Sequence, residues 1–200
     1  MSIIRTVTPS DYGRIAALRH DAYARSTEFD LIDATEIVRV ADDPGTVLAA
    51  FDGVEPVATM HGLIVSYLSD AEEILTCRIG PEAKFPALIL SRAATAMTHK
   101  GVGLNSVLRY YFLKAVVDRV ECVLGAVYEG APRTHIMDTL GYAFHQKSTW
   151  DKDKKMRGKH YLSILDADQL DQAVAKLEDM MSLKLQEFPW YGPILQLKSK

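Results

Sequence analysis

Apolar positions change period several times along the chain, and each change predicts an element. Ile3 to Val7 alternates and reads as a short strand. Thr8-Pro9-Ser10-Asp11 reads as a helix start with Ser10 as N-cap. Tyr12, Ile15, Ala16, Leu18, Ala22 and Tyr23 then recur at helical spacing to about Arg25. A shorter helix is expected over Ile32 to Val40, followed by a turn at Asp42-Asp43-Pro44-Gly45. Thr46 to Phe51 reads as a strand, Asp52-Gly53 as a hairpin turn, and Pro56 to Tyr67 as a longer strand. Residues 68 to 85 are polar and irregular, contain Gly80-Pro81, and predict a mobile loop with a short helix or strand.

The second half is more strongly patterned. Phe85 to Met97 is an apolar run and predicts a fourth strand. Val102 to Arg119 carries Val107, Leu108, Tyr111, Phe112, Ala115 and Val116 on one helical stripe. Glu121 to Val127 is β-branched and reads as a buried strand. Pro132 to Thr139 predicts a short helix closed by Gly141, and Tyr142 to Thr149 a returning strand. Lys152 to Lys155 is a charged turn, Lys159 to Leu165 a strand, and Asp166 to Leu185 a polar amphipathic helix. The order β-α-α-β-β-β-α-β-α-β-β, with an extra C-terminal helix, places the chain in the α+β class with a mixed central sheet. Residues 1–165 form the body. Residues 166–200 add the helix and an aromatic tail, Phe188-Pro189-Trp190-Tyr191-Gly192-Pro193, to the same domain. The tail either docks on the body or makes a homodimer contact.

Composition narrows this picture only slightly. Two hundred residues suit one domain with a real core. A net charge of −3 gives no basic excess for nucleic acid. No apolar run approaches the roughly 20 residues that span a bilayer, and the N-terminus lacks a signal-peptide core. Cys77 and Cys122 stand in different elements without metal-ligand spacing, and the histidines form no zinc motif. This predicts a cytoplasmic protein without a metal.

The candidate chemistry is concentrated at His99-Lys100-Gly101-Val102-Gly103-Leu104-Asn105, where the apolar run gives way to a helix. Two glycines let the backbone turn tightly and approach a ligand without a Cβ. The free N–H groups and dipole of the following helix then favour an anion, most often phosphate. A phosphorylated cofactor or carrier is the natural ligand.

This order of elements, with its glycine turn, resembles the GNAT acyltransferases. In that family the turn holds the pyrophosphate of coenzyme A or the phosphopantetheine of a carrier protein, in the pattern Arg/Gln-x-x-Gly-x-Gly/Ala. Gly101 and Gly103 match it, Thr98 replaces the Arg or Gln, and Lys100 offers an alternative positive charge. Ile15 to Tyr23, with Glu28-Phe29 beyond, is similar to the "LRxxVY…E..F" opening of the long-chain N-acyl amino acid synthases and the acyl-homoserine-lactone synthases. Pro56 to Leu63 resembles their "VGTxRL" strand with His61 at the arginine, and Leu90-Ser91-Arg92 resembles "E-x-S-R". Ala131-Pro132-Arg133-Thr134-His135 and Leu140-Gly141-Tyr142-Ala143-Phe144 are similar to their later segments. The resemblance covers about residues 3 to 147. Ile89 stands at the glutamate of "E-x-S-R", and Met137 at the tyrosine that is general acid in many GNAT enzymes.

The resemblance implies an acyl-coenzyme A or acyl-phosphopantetheine donor, the latter on acyl carrier protein. It also implies a small amine acceptor, plausibly an amino acid. His99, Lys100, Gly101, Val102, Gly103, Leu104 and Asn105 would hold the phosphates. Ala94, Thr95 and Ala96 would leave room for the pantetheine arm and offer a backbone N–H to the oxyanion. Arg92, inside an apolar strand, is either half of an ion pair with Glu72, Glu73 or Glu82 or a fork for an acceptor carboxylate. Ser91 neighbours it. Arg19 is expected on the acceptor or on the exposed side of its helix. Tyr23, Phe29, Leu31, Ile32, Phe85 and Leu88 form either ordinary core or an acyl tunnel. His61 is the candidate general base, its ordinary pKa lying near 6.5. His135 is a further substrate contact. Because Ile89 and Met137 carry no proton, a non-catalytic acyl-thioester-binding or sensor domain is the first alternative, and an interaction protein that oligomerises through its tail the second.

Overall fold

A computed structural model describes residues 1–25, 40, 44–128, 130–131, 133–146, 148–149 and 160–200. The expected helix over 32–40, the charged turn at 152–155, and Glu28, Phe29, Leu31 and Ile32 therefore lie outside the described residues.

The strands are β1 (Ser2–Thr6), β2 (Thr46–Asp52), β3 (Glu55–Val65), β4 (Cys77–Arg78), β5 (Ala87–Thr95), β6 (Cys122–Tyr128), β7 (Ala143–Gln146), β8 (Ser148–Thr149) and β9 (His160–Asp166). Among the described residues the α-helices are α1 (Tyr12–Ala24), α2 (Leu68–Leu75), α3 (Leu104–Lys114), α4 (Arg133–Leu140), α5 (Leu170–Met180) and α6 (Ser182–Glu187). Seven strands form one mixed sheet in the order β1-β2-β3-β5-β6-β9-β7, while β4 and β8 pair separately. Among the described strands of this sheet, β5 and β6 are the one parallel neighbouring pair.

Two-residue alternation divides the core. Val47 and Ala49 of β2 pack with Ile15 of α1, and Leu63, Val65, Ala87 and Ile89 pack with Ala71 and Leu75 of α2. The intervening residues Leu48, Met60, Ile64, Leu88 and Leu90 face the other way, onto Val107, Leu108 and Phe112 of α3 and Leu177 of α5. Thus α1 and α2 cover one face, and α3, α4 and α5 the other.

Several sequence expectations change. The first helix is entered through a 3₁₀ turn, Pro9–Asp11, with Thr8 rather than Ser10 at the cap. Asp11 is the reason. Its buried carboxylate accepts the Thr8 N–H at 2.9 Å, the Thr8 hydroxyl at 2.7 Å, Arg5 at 2.7 and 2.9 Å and Arg14 at 2.9 Å. Residues 68–85 contain the expected short element twice over, a helix and a two-residue strand: Ala71, Leu75, Cys77 and Ile79 are buried, and α2 and β4 form around them. The fourth strand stops at Thr95 and gives a 3₁₀ turn, Met97–His99. The following helix begins at Leu104 and ends at Lys114. The strand expected over 142–149 splits between two sheets as β7 and β8. The last helix breaks at Met181 into α5 and α6 after a 3₁₀ turn, Ala167–Gln169.

The tail docks on the body. Ile4 of the edge strand donates to Pro189 O at 2.8 Å, and Tyr191 N–H donates back to Ile4 O at 2.7 Å. Farther on, Ile64 donates to Lys198 O and Lys200 donates to Ile64 O. Phe188 and Leu197 are buried in the α3 side of the core.

Hydrogen bonds from Arg5 hold the Asp11 carboxyl well below its ordinary pKa. A depressed carboxyl contributes stability above the unfolded-state pKa, near 3.9, and loses it as pH falls. Asp11→Asn should therefore remove on the order of 2 kcal/mol at pH 7 and much less near pH 2. Urea unfolding of both proteins at the two pH values checks this. An equal loss at both would assign the effect to packing instead of charge.

Candidate active site

The site is built where two neighbouring strands part. β5 and β6 pair only at Ala87–Cys122, Leu88–Val123 and Ile89–Leu124. Beyond these pairs β5 continues to Thr95 and β6 to Tyr128 without further pairing to each other, so the sheet opens into a gap. A bulge in β5 accompanies the opening. Thr59 pairs with Ala94 and His61 with Ser91, which leaves Arg92 and Ala93 opposite Met60 alone. Arg92 has φ +51°, a left-handed conformation usually left to glycine.

The glycine turn closes one end of the gap. Gly101 and Gly103 have φ of +81° and +89°. A Cβ at Gly101 would meet nothing within 4 Å, whereas one at Gly103 would lie 2.9 Å from Met181 Sδ. Gly103 caps α3 with no side-chain cap hydrogen bond and no acidic residue in the first turn. Helix geometry leaves the N–H groups of Gly103, Leu104 and Asn105 without intrahelical acceptors. His99 is half-buried with its Nδ1 2.9 Å from Thr98 Oγ1, Lys100 is exposed, Val102 is exposed and Leu104 is buried.

Between the gap, α3 and α4 lies a crevice of about 30 Å³ lined by Met60, Ala93, Asn105, Arg109, Arg133 and Met137, among others. Asn105 and Arg109, and Arg133 and Met137, are four residues apart on their helices and so share a face. Arg109 Nη1 donates to Tyr142 Oη at 2.7 Å. This buried hydroxyl has its pKa raised by burial. Sequence reasoning missed Arg109 and did not assign Arg133, although this spacing was readable.

Of the three small residues at the end of β5, Ala96, just past the strand, donates its N–H to Val57 O at 2.8 Å and so is not an oxyanion donor. Ladder alternation then turns Ala94 towards β3 and Thr95 towards the gap. Thr95 is the one of the three with an N–H on the open side.

Ser91 and His61 lie on the opposite, α1-covered face. His61 is 2% exposed, and its Nδ1 shares a 2.9 Å hydrogen bond with Ser91 Oγ. Arg19 is fully buried, not on the exposed side of its helix, and Tyr23 is 5% exposed. α1 packs against both β3 and β5, so both side chains belong to this face. Glu72 pairs with Arg78, and Glu73 with Lys200. His135 is exposed on α4, beside but outside the crevice lining. Ile89 is fully buried, with Ala87 and Leu124 in its core cluster; Met137 lines the crevice at 2% exposure. Phe85 and Leu88 serve as core.

No protein-family model and no curated relative matches this sequence. Solved structures do match in fold. The coenzyme A-dependent acyl-homoserine lactone synthase BjaI, solved with SAM and isopentyl-CoA, aligns over 100% of this chain and 94% of its own, at 16% identity and TM-score 0.65. YncA of Salmonella typhimurium, a putative acetyltransferase with its cofactor acetyl-CoA, covers 84% of this chain and 95% of its own, at 12% identity and TM-score 0.55. The ribosomal-protein-S18-alanine N-acetyltransferase of Escherichia coli covers 84% and 94%, at 10% identity and TM-score 0.54. With the parted strands, the bulge and the glycine turn in place, this chain has a GNAT fold and resembles the acyl-homoserine-lactone synthase branch along its whole length.

Proposed function

We propose that the protein is an N-acyltransferase that moves an acyl group from a coenzyme A or acyl-carrier-protein thioester to an amine. The observation that carries this reading is the open gap beside an uncapped helix start. The start of α3 suits the donor's phosphates: open space at Gly101 admits them, and backbone N–H groups point at them. The pantetheine arm then lies in the gap, where Thr95 N–H is turned to meet the carbonyl oxygen as charge develops on it. The amine comes from the α1 face and attacks the thioester directly. Positioning of the two reactants supplies much of the acceleration. His61 takes the proton.

Arg92 is the proposed acceptor contact. Its backbone is held in a sparsely populated region at the mouth of the gap, and such conformations concentrate at functional sites. A guanidinium there suits an amino acid carboxylate. Arg92→Lys keeps the charge and loses the fork. It should raise the acceptor KM about tenfold, or ~1.4 kcal/mol, with donor affinity unchanged. A lower melting temperature with acceptor KM intact would assign Arg92 to structure.

The buried Ile89 and Met137 favour a second reading, a thioester-binding sensor. Calorimetry with coenzyme A, followed by thiol release from acetyl- and octanoyl-CoA with a panel of amino acids, decides between them. Binding with turnover supports the transferase, binding without turnover the sensor, and neither sinks both.

A further inference from the structure

His61 is nearly sealed from solvent, yet it hydrogen-bonds a residue that is not. Ser91 is half-buried, stands two residues beyond the last β5–β6 pair, and immediately precedes the left-handed Arg92. The histidine ring is also fixed from its other edge. A Cβ at Gly45 would fall 2.1 Å from His61 Nε2 and 2.6 Å from Gly62 O, so only glycine lets the ring sit there. A proton acceptor held so deeply cannot meet an incoming amine itself.

We propose that Ser91 is the group that meets the amine and that it relays the proton to His61; this step rests on the acyl-transfer reading above. The amine nitrogen bonds to the thioester carbonyl carbon. An N–H proton passes to Ser91 Oγ while the Ser91 hydroxyl proton passes to His61 Nδ1, which must start unprotonated with the ring proton on Nε2. The C–S bond then breaks and its electron pair leaves on sulfur. The imidazolium proton returns through Ser91 to the thiolate. No electron is gained or lost by the protein. The relay places the serine at the reacting atoms and the histidine behind it, 30 positions apart in sequence.

Among the described residues, the charged and titratable groups of α1 and β5, which pack against β3, are Tyr12, Arg14, Arg19, His20, Asp21 and Tyr23 of α1 and Arg92 of β5; of these, Arg19 and Tyr23 are buried. The acidic residues of α2 are engaged elsewhere, Asp70 and Glu73 with Lys200 and Glu72 with Arg78. On the opposite face α3 carries Arg109, Tyr110, Tyr111 and Lys114, and the turn before it His99 and Lys100.

The test follows thiol release from acetyl-CoA across pH, with hydroxylamine as the probe amine and coenzyme A calorimetry on every variant. Ser91→Ala and His61→Ala should each lower the rate about 10²-fold and flatten its rise with pH. The double variant should lose no more than either alone, because the two act as one unit. Ser91→Thr, which keeps a hydroxyl, should recover most of the rate. The relay is overturned if Ser91→Ala keeps the rate and the profile, if the losses multiply in the double variant, or if an acyl adduct on Ser91 appears in the intact-mass spectrum. Wild-type protein that binds coenzyme A but transfers nothing also overturns it, leaving donor binding intact. Failure to bind coenzyme A removes the acyl-transfer reading itself.

Discussion

Phe188→Ala is expected to lower the unfolding free energy by about 3–5 kcal/mol. The ring is 2% exposed and belongs to the cluster formed by Leu104, Val107, Phe112, Leu177 and Leu197. Its truncation leaves a cavity at the point where the chain leaves α6 for the edge strand. The neighbouring Pro189 and Tyr191 hold Ile4 through two backbone hydrogen bonds, so loosening Phe188 also loosens β1. Trp190 contributes less: its ring packs on Tyr111 at 5.3 Å, and its Nε1 bonds only Gly192 O and Pro193 O within the tail. Urea midpoints for Phe188→Ala and Trp190→Ala should fall in that order. A Phe188→Ala midpoint within experimental error of wild type would show that the tail rests on the body without supporting it.

Gly101→Val should weaken coenzyme A binding by at least 10³-fold, about 4 kcal/mol. Two conditions favour this position over Gly103. A Cβ at Gly101 touches nothing, so any loss comes from the backbone, whereas Gly103 packs against Met181 and its replacement would disturb the α5–α6 junction as well. A β-branched residue resists φ of +81°. The turn must re-form, and the N–H groups proposed to hold the phosphates turn away. Charge-assisted hydrogen bonds of that kind contribute about 1.5–3 kcal/mol each, so losing two suffices. Folding stability should change by only about 1–2 kcal/mol, because the residue is exposed. Calorimetry beside thermal melts reads both quantities. Unimpaired binding by the folded variant would remove the turn from the donor site.

Residues that act locally were legible in the sequence. Gly101 and Gly103 announced a turn because positive φ is what glycine supplies. Gly141 likewise sits past α4 with φ +97°. The β2–β3 hairpin followed from Asp52-Gly53, with Gly53 at φ +62°. What escaped depends on register and tertiary packing. The bulge at Arg92 has no sequence signature, since an arginine there breaks the local rule that would have revealed it. The bond between His61 and Ser91 follows from the β3–β5 register, which sets the two residues opposite each other just before the bulge. Asp11 outcompeted Ser10 as the organiser of the helix start because Arg5 and Arg14 converge on it, one from a strand and one from the helix. Residues 68–85 looked irregular because their buried positions, Ala71, Leu75, Cys77 and Ile79, keep neither a helical nor an alternating period throughout. Arg109 and Arg133 become neighbours only when two helices meet over the parted strands.

The parting of β5 from β6 also has a mechanical meaning. It divides the sheet into two panels, β1-β2-β3-β5 and β6-β9-β7, riveted along three residue pairs at one end. Each panel is continuous in itself, but force crosses between them through that short seam and through the helices laid over it. Whatever fills the opening becomes a strut between the panels. The compliance of the whole sheet is thereby tied to occupancy of a single slot, with the seam at Ala87–Ile89 as its pivot.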